Sequence, residues 1–129
     1  IYVSKLVKKV IGYEINKYAV EDAKINTKNN FVDNAEFICG SSELSFEKIT
    51  NDIDVIIVDP PRSGLNDKTI EGILNVKPCK VIYVSCDPVT LARDLKTLQD
   101  YYNVVEVTPV DMFPNTKHVE TIAVLKLKN

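Results

Sequence analysis

The sequence predicts an α/β fold, an open doubly wound and mostly parallel sheet with an antiparallel pair at one edge, and three observations lead there. Short apolar runs that stop at acids and prolines, Val-Ile-Ile-Val before Asp59-Pro60-Pro61 and Val-Ile-Tyr-Val before Ser85-Cys86-Asp87-Pro88, alternate with segments whose apolar residues recur every three to four positions. The last two strand candidates follow one another with no room for a crossover helix, which requires an antiparallel pair. At 129 residues, 45% hydrophobic and 26% charged, the chain suits one globular domain with one core and excludes disordered and low-complexity classes.

Each element has its own signal. Tyr2, Val3, Leu6, Val7 and Val10 keep helical spacing with Lys5, Lys8 and Lys9 opposite, so the chain is expected to open on a crossover helix. Residues 10–14 read as a short buried strand, and Ala19, Val20, Ala23 and Ile25 mark a helix that runs out in the polar stretch 26–30. Residues 35–39 form the next strand candidate; after a Gly40-Ser41-Ser42 turn a weak helix covers 45–49. Residues 55–58 are a continuous apolar run of the kind found in central parallel strands. Helical spacing returns with Ile70, Ile73 and Leu74, strand character at 81–84, and helical spacing again with Leu91, Leu95 and Leu98, where Pro88 suits a first turn. Residues 104–110 and 118–127 are two strands in direct succession, joined by a connector at 112–117.

Charge and cysteine content narrow the function classes. With a net charge of -2, the chain lacks the basic footprint of a protein that grips nucleic acid unaided. No apolar run approaches the roughly 20 residues that span a bilayer, and no signal peptide precedes the pattern, so a cytoplasmic protein without a membrane partner is expected. Cys39, Cys79 and Cys86 are three cysteines without a CxxC pair, which argues against a disulfide framework or a cysteine-built metal site, and no metal is expected. The first residue is Ile1 and the pattern begins midway, so the chain is expected to be part of something longer.

In open α/β sheets ligands sit beyond the carboxyl ends of the strands, which directs attention to Glu14, residues 40–42, residues 59–64 and residues 85–88. Glu14 ends the first strand, where an acid accepts hydrogen bonds from a ribose or else is a solvated carboxylate near the next helix N-terminus. The phosphate-cradling G-x-G-x-x-G is absent. Asp59-Pro60-Pro61-Arg62 holds a carboxylate over a strand end on a stiff backbone, and Arg62 is free to pair with an acid. Cys86 ends a buried strand and opens a helix whose N-terminal amides stabilise a thiolate; Cys39 also ends a strand. His118 and Glu120 are two apart on a predicted strand and so share a face, suited to acid–base work or to a structural role. Phe113, in the connector, is a stacking candidate or a cap on the core.

Taken in order, Asp59-Pro60-Pro61-Arg62, Val84-Ser85-Cys86-Asp87-Pro88, Leu91-Ala92-Arg93-Asp94, Asp111-Met112-Phe113-Pro114 and His118-Val119-Glu120-Thr121 resemble the catalytic half of the RNA uracil-5-methyltransferase family, with the bacterial ribosomal RNA members nearest in pattern. The resemblance covers nearly the whole chain from Val10 onward. It implies a Rossmann-like class I methyltransferase fold, S-adenosylmethionine as cofactor, and transfer of a methyl group to carbon 5 of a uridine in ribosomal RNA, or alternatively transfer RNA. Cys86 matches the family's nucleophile, which attacks carbon 6 of the ring. Glu120 matches the carboxylate that removes the carbon 5 proton. Glu14, Ser41 and Asp59 fall at cofactor contacts, although Ser41 stands where an Asn or Asp is more usual. Arg62, Asp111, Phe113 and His118 fall on the substrate side. By the same resemblance residues 1–129 are a partial methyltransferase domain. The family's first strand and glycine loop, its RNA-binding domain and any iron–sulfur cluster would then precede Ile1.

Two other readings stay open. An amino-group methyltransferase also uses an acid-Pro-Pro turn, usually followed by an aromatic residue where this chain has Arg62. A catalytically silent Rossmann-like module would use none of these residues chemically.

Overall fold

The computed structural model describes residues 1–41, 46, 53–116 and 118–129. The chain divides into two compact units, Ile1–Lys48 and Ile49–Asn129. The helix expected at 45–49 lies, apart from Phe46, outside the described residues.

The first unit is a β-α-β arrangement. Strand β1 (Val10–Glu14) pairs in parallel with β2 (Ala35–Cys39), in register from Val10↔Ala35 to Glu14↔Cys39. Helix α1 (Lys17–Asn29) joins them and starts where the Asn16 side chain accepts hydrogen bonds from the amides of Tyr18 and Ala19. Gly12 is required by close approach: a Cβ there would lie 2.8 Å from the Phe37 ring on the neighbouring strand. The core is thin. Val20 is the one hydrophobic residue of this unit that is fully buried among those described, and Leu6, Ile15 and Tyr18 are exposed.

The opening helix predicted from the apolar spacing does not form; residues Val3–Leu6 make one 3-10 turn and Val7 is extended. The carbonyls of Ser4 and Val7 accept instead from the Asn34 side chain, at 2.8 and 3.0 Å. A segment this short gains too few internal bonds to offset helix nucleation, so a side chain supplying donors from elsewhere wins.

The second unit holds β3 (Val55–Val58), α2 (Asp67–Val76), β4 (Lys80–Ser85), α3 (Pro88–Leu98), β5 (Tyr102–Val110) and β6 (Glu120–Leu127). Its sheet has the order β3-β4-β6-β5, with β3–β4 parallel and the two ladders of β6 antiparallel. The antiparallel pair therefore sits at one edge, as the short connector required. Burial alternates along β4 and β6, so that Val81, Tyr83, Ser85, Thr121, Ala123 and Leu125 form one buried face. Helix α3 lies on that face, its Asp94 bonded to the Tyr83 hydroxyl at 2.7 Å and its Leu91 and Leu98 buried. The Tyr102 hydroxyl donates to the Pro78 carbonyl at 3.1 Å, tying β5 to the start of β4.

Strand β3 pairs with β4 alone among the described residues, although its apolar run predicts a central strand. Val55 and Ile57 are 41% and 50% exposed because their register partners, Lys80 and Ile82, belong to the face opposite α3. At the other edge β5 is exposed along most of its length; a bulge between Val104 and Glu106 and the imide of Pro109 break its edge. His118, expected on the last strand, precedes it: β5 ends at Val110, opposite Glu120, and leaves no partner strand for residues before Glu120.

Two local features fix the turns that flank β3 and β4. Gly64 has φ of +78°, and a Cβ there would come 2.5 Å from Arg93 Nη2 and 2.6 Å from Asp94 Oδ2. Asp87 caps α3, its Oδ1 accepting from the amides of Val89 and Thr90 at 2.9 and 3.1 Å. Gly64→Ala is therefore expected to lower unfolding free energy by about 1–3 kcal/mol in urea denaturation, since both the backbone and the neighbours resist it; an unchanged midpoint would contradict this. Asp87→Ala is expected to cost about 1 kcal/mol, and Asp87→Asn, which keeps the accepting oxygen, only a few tenths in the same measurement.

Candidate active site

In the first unit the two predicted cofactor contacts lie at the carboxyl ends of neighbouring parallel strands. Glu14 is the last residue of β1; one carboxylate oxygen accepts from the Asn16 amide at 2.7 Å, and the side chain is exposed. Ser41 follows the end of β2 by two residues and is half-buried, and the Gly40 amide before it donates to the Glu14 carbonyl at 3.0 Å. An exposed carboxylate with a hydroxyl on the adjacent strand end suits the hydroxyl groups of a ribose. Cys39 stands beside them, exposed, with its thiol 3.6 Å from the Ile15 carbonyl.

In the second unit the chemistry-bearing residues gather at one end of the four-stranded sheet. Asp59 follows β3 and is exposed; Cys86 follows β4 and is half-buried; Asp111 follows β5 and is exposed; Glu120 opens β6 and is half-buried. The ladder pairs Ser85 with Thr121, so Cys86 and Glu120 are the next residues on adjacent strands. Neighbouring strands lie about 4.8 Å apart, which lets side chains from both reach the same small ring.

Arg62 turns toward His118 and makes no ion pair with Asp59 among the described residues. Its Nη2 is 3.3 Å from Nδ1 and 3.4 Å from Nε2 of the imidazole, so it serves whichever ring nitrogen accepts. The contact links the Asp59-Pro60-Pro61-Arg62 turn to the residue two before Glu120. The His118 amide donates to Thr116 Oγ1 at 3.2 Å, and Thr116 Oγ1 donates to the Phe113 carbonyl at 2.7 Å. This bonded turn presents Phe113, 49% exposed, at the surface.

One expectation about Cys86 changes. The first-turn amides of α3, predicted to support a thiolate, are already taken: Val89 and Thr90 donate to the Asp87 carboxylate, Leu91 donates to the Asp87 carbonyl, and Pro88 has no N–H. A capping acid next to the thiol competes for the same donors. Cys79 is exposed, beside Pro78 and Lys80.

Residues that the sequence left without a role surround the turn after Asp59. Asp94 is 1% exposed; its Oδ2 accepts from the Leu65 amide at 2.8 Å and the Tyr83 hydroxyl at 2.7 Å, and its Oδ1 from Arg93 Nε at 2.8 Å. Burial, reinforced by the Asp94 carboxylate, holds the Tyr83 phenol well above its ordinary range, so it stays a donor. The hydrogen bond to Asp94 likewise raises the Arg93 guanidinium. The sequence does carry a signal for this cluster: Leu91, Asp94 and Leu98 share the buried stripe of α3, an acid where an apolar residue is the rule. A hollow of about 440 Å³ opens on the cluster, lined by residues including Ser63, Leu65, Asn66, Arg93, Asp94 and Thr97, and neither Cys86 nor Glu120 belongs to its lining.

Comparison with known proteins bears on the whole chain. Residues 1–128 match the family described as tRNA (uracil-5-)-methyltransferase. An uncharacterized RNA methyltransferase of Clostridium tetani is 46% identical over 129 residues, covering 97% of this chain and 28% of the relative. One from Clostridium acetobutylicum is 47% identical over 98% of this chain and 28% of its own length. The chain thus spans less than a third of the length of these two curated relatives. The crystal structure of Pyrococcus abyssi tRNA (uracil-54, C5)-methyltransferase in complex with S-adenosyl-L-homocysteine superposes with a TM-score of 0.85 at 41% identity, over 96% of this chain and 30% of that one. A Streptococcus thermophilus rRNA methylase, only 16% identical, shares the fold with a TM-score of 0.79 over 99% of this chain. The architecture is the Rossmann-like class I methyltransferase fold that the motifs imply, and the chain belongs to the tRNA (uracil-5-)-methyltransferase family.

Proposed function

We propose that the chain is the catalytic portion of an S-adenosylmethionine-dependent RNA methyltransferase that methylates carbon 5 of a uridine through a covalent adduct with Cys86. The observation that carries the reading is the register of β4 and β6, in which Cys86, after Ser85, and Glu120, before Thr121, both stand one step beyond the Ser85↔Thr121 pair at the same end of the sheet. Carbon 5 of a neutral uracil is a poor nucleophile. Addition of the Cys86 thiolate to carbon 6 forms an S–C bond and moves the ring electron pair toward carbon 5 and the carbonyl, making an enolate. S-Adenosylmethionine, when bound, supplies an electrophilic methyl group that carbon 5 takes up. Glu120 then accepts the carbon 5 proton, the double bond re-forms, and the thiolate leaves. Sulfur suits both the attack and the departure.

Glu14 and Ser41 are proposed as cofactor contacts in the first unit, the carboxylate accepting from ribose hydroxyls; Asp59 is proposed as a cofactor contact in the second. Arg62, Asp111, Phe113 and His118 are proposed on the RNA side, Phe113 by stacking on a base. The uridine must leave its stack to reach Cys86, and a net charge of -2 gives these residues little electrostatic grip on RNA of their own. Residues 1–129 are then part of a larger methyltransferase, a reading supported by the 28% share of the relatives' length. Ribosomal RNA is the proposed substrate class; the Pyrococcus abyssi relative is a tRNA methyltransferase, so transfer RNA belongs in the same assay. Cytoplasm is the proposed location, and no helix among the described residues is long and apolar enough to cross a membrane.

The test carries this chain in place of the matching segment of the Clostridium tetani relative and incubates it with S-adenosylmethionine and ribosomal or transfer RNA containing 5-fluorouridine. Fluorine cannot leave as a proton, so a methylated protein–RNA adduct is expected by denaturing mass spectrometry, and none with Cys86→Ser. With ordinary uridine, Glu120→Gln is expected to slow turnover by about 10²–10⁴-fold while the adduct accumulates; a folded, cofactor-bound protein that forms no adduct on any RNA would overturn the reading. Glu14→Ala is expected to weaken S-adenosylmethionine binding about tenfold in calorimetry, one charge-assisted hydrogen bond's worth.

A further inference from the structure

The Arg93-Asp94 pair is the motif to which the proposed chemistry assigns no task. We propose that Asp94, working with Arg93 and Thr90, is a positioning residue that sets the turn after Asp59, gripped at Arg62, Ser63 and Leu65, against the Cys86 strand end. This inference rests on the reading of Asp59 and Cys86 as parts of one reacting site.

The turn is held by its backbone from one helix face. Thr90 Oγ1 donates to the Arg62 carbonyl at 3.0 Å, Arg93 Nη2 to the Ser63 carbonyl at 2.8 Å and to the Leu65 carbonyl at 3.3 Å, and Asp94 Oδ2 accepts from the Leu65 amide at 2.8 Å. Positions 90, 93 and 94 are i, i+3 and i+4 on α3, so one turn of helix presents all three groups together. The Gly64 amide turns back to the Pro61 carbonyl at 2.8 Å, closing the loop between these anchors. The same carboxylate oxygen takes the Tyr83 hydroxyl at 2.7 Å.

Tyr83 is on β4 three residues before Cys86, and Thr90 is on α3 four residues after it. The cluster therefore grips both flanks of the thiol and ties each of them to the turn that follows Asp59. Neither Asp94 nor Arg93 is at the strand ends where the chemistry is proposed. A buried carboxylate is a poor device for stability alone, because apolar packing of the same volume commonly does as well without the desolvation cost. Its use here is directional: three residues, from a turn, a strand and a helix, must bring their donors to one carboxylate in one geometry. Displacing a reacting group by about 1 Å costs on the order of 10²-fold in rate, so a clamp of this kind acts on the chemical step.

The test uses the same protein as the adduct assay, with Asp94→Asn, Tyr83→Phe and Thr90→Val. Single-turnover adduct formation on 5-fluorouridine RNA, KM for RNA, cofactor affinity and folded fraction by circular dichroism are measured together. Asp94→Asn is expected to slow adduct formation at saturating RNA and cofactor about 10- to 100-fold, with KM and cofactor affinity changed less than about threefold. Tyr83→Phe and Thr90→Val, each losing one hydroxyl bond, are expected to slow it about 3- to 10-fold, and they carry the test if Asp94→Asn does not fold. In this chain, hydrogen exchange at the Leu65 amide is expected to quicken in Asp94→Asn and in Tyr83→Phe. Wild-type adduct rates in the folded variants, or rates that fall only in proportion to folded fraction, would overturn the proposal and leave the methylation reading standing. An inactive wild-type protein would overturn that reading instead, and unchanged Leu65 exchange in the folded variants would then overturn the clamp by itself.

Discussion

The full burial of one carboxylate, Asp94, constrains the second unit more than any other single feature. At 1% exposure an ionised oxygen pair has lost its water, and the structure is tolerable only because Leu65, Tyr83 and Arg93 donate to it. No side-chain nitrogen or oxygen buried among the described residues lacks a hydrogen-bond partner. Satisfying Asp94 obliges three segments distant in sequence to meet: the turn after β3, the middle of β4 and the second turn of α3. Gly64 follows from the same constraint, since any side chain at that point would occupy the space of the Arg93–Asp94 pair.

Around that point the sheet face and the strand ends carry different kinds of side chain. The buried stripe of the sheet, with Val81, Tyr83, Ala123 and Leu125, lies under α3 and is apolar apart from groups that are hydrogen-bonded. The groups suited to chemistry stand where the strands stop: Asp59, Cys86, Asp111 and Glu120 all lie at one end of the four-stranded sheet. Ending a strand releases the backbone from its ladder, which lets side chains point at a ligand without disturbing the core. The antiparallel insertion of β6 between β4 and β5 brings Glu120 to the same end as Cys86, although it begins its strand and Cys86 follows one. A parallel strand in that position would carry its first residue to the opposite end.

The first unit is built differently. It buries little, and its β-α-β pair depends on side-chain caps: Asn16 at the start of α1, Asn34 on the carbonyls of the opening segment. Its predicted cofactor residues are nonetheless at carboxyl ends of parallel strands, the position expected for a ribose contact in this architecture.

The sequence by itself determined the order and type of nearly all described elements, because each strand or helix carries its own period and its own stop signal; Pro88 at the first turn of α3 and Asp59-Pro60-Pro61 after β3 are examples. The positions of Glu14 at the end of a strand and of Asp59 and Cys86 directly after one were legible locally, and the antiparallel pair was legible from the length of its connector. The tertiary structure alone decided matters that depend on partners distant along the chain. The opening helix was lost to Asn34, roughly thirty residues away, which no local period reveals. His118 fell outside β6 because β5 ends at Val110, and it met Arg62 instead. Asp87 took the amides that the strand-to-helix position had suggested for Cys86, a competition between two adjacent side chains that spacing cannot rank. Asp94 was visible as an acid on an apolar stripe, yet its partners come from a turn and a strand as well as its own helix. Periodicity reports which face a residue occupies, whereas a buried charge is defined by the donors that tertiary contacts bring to it.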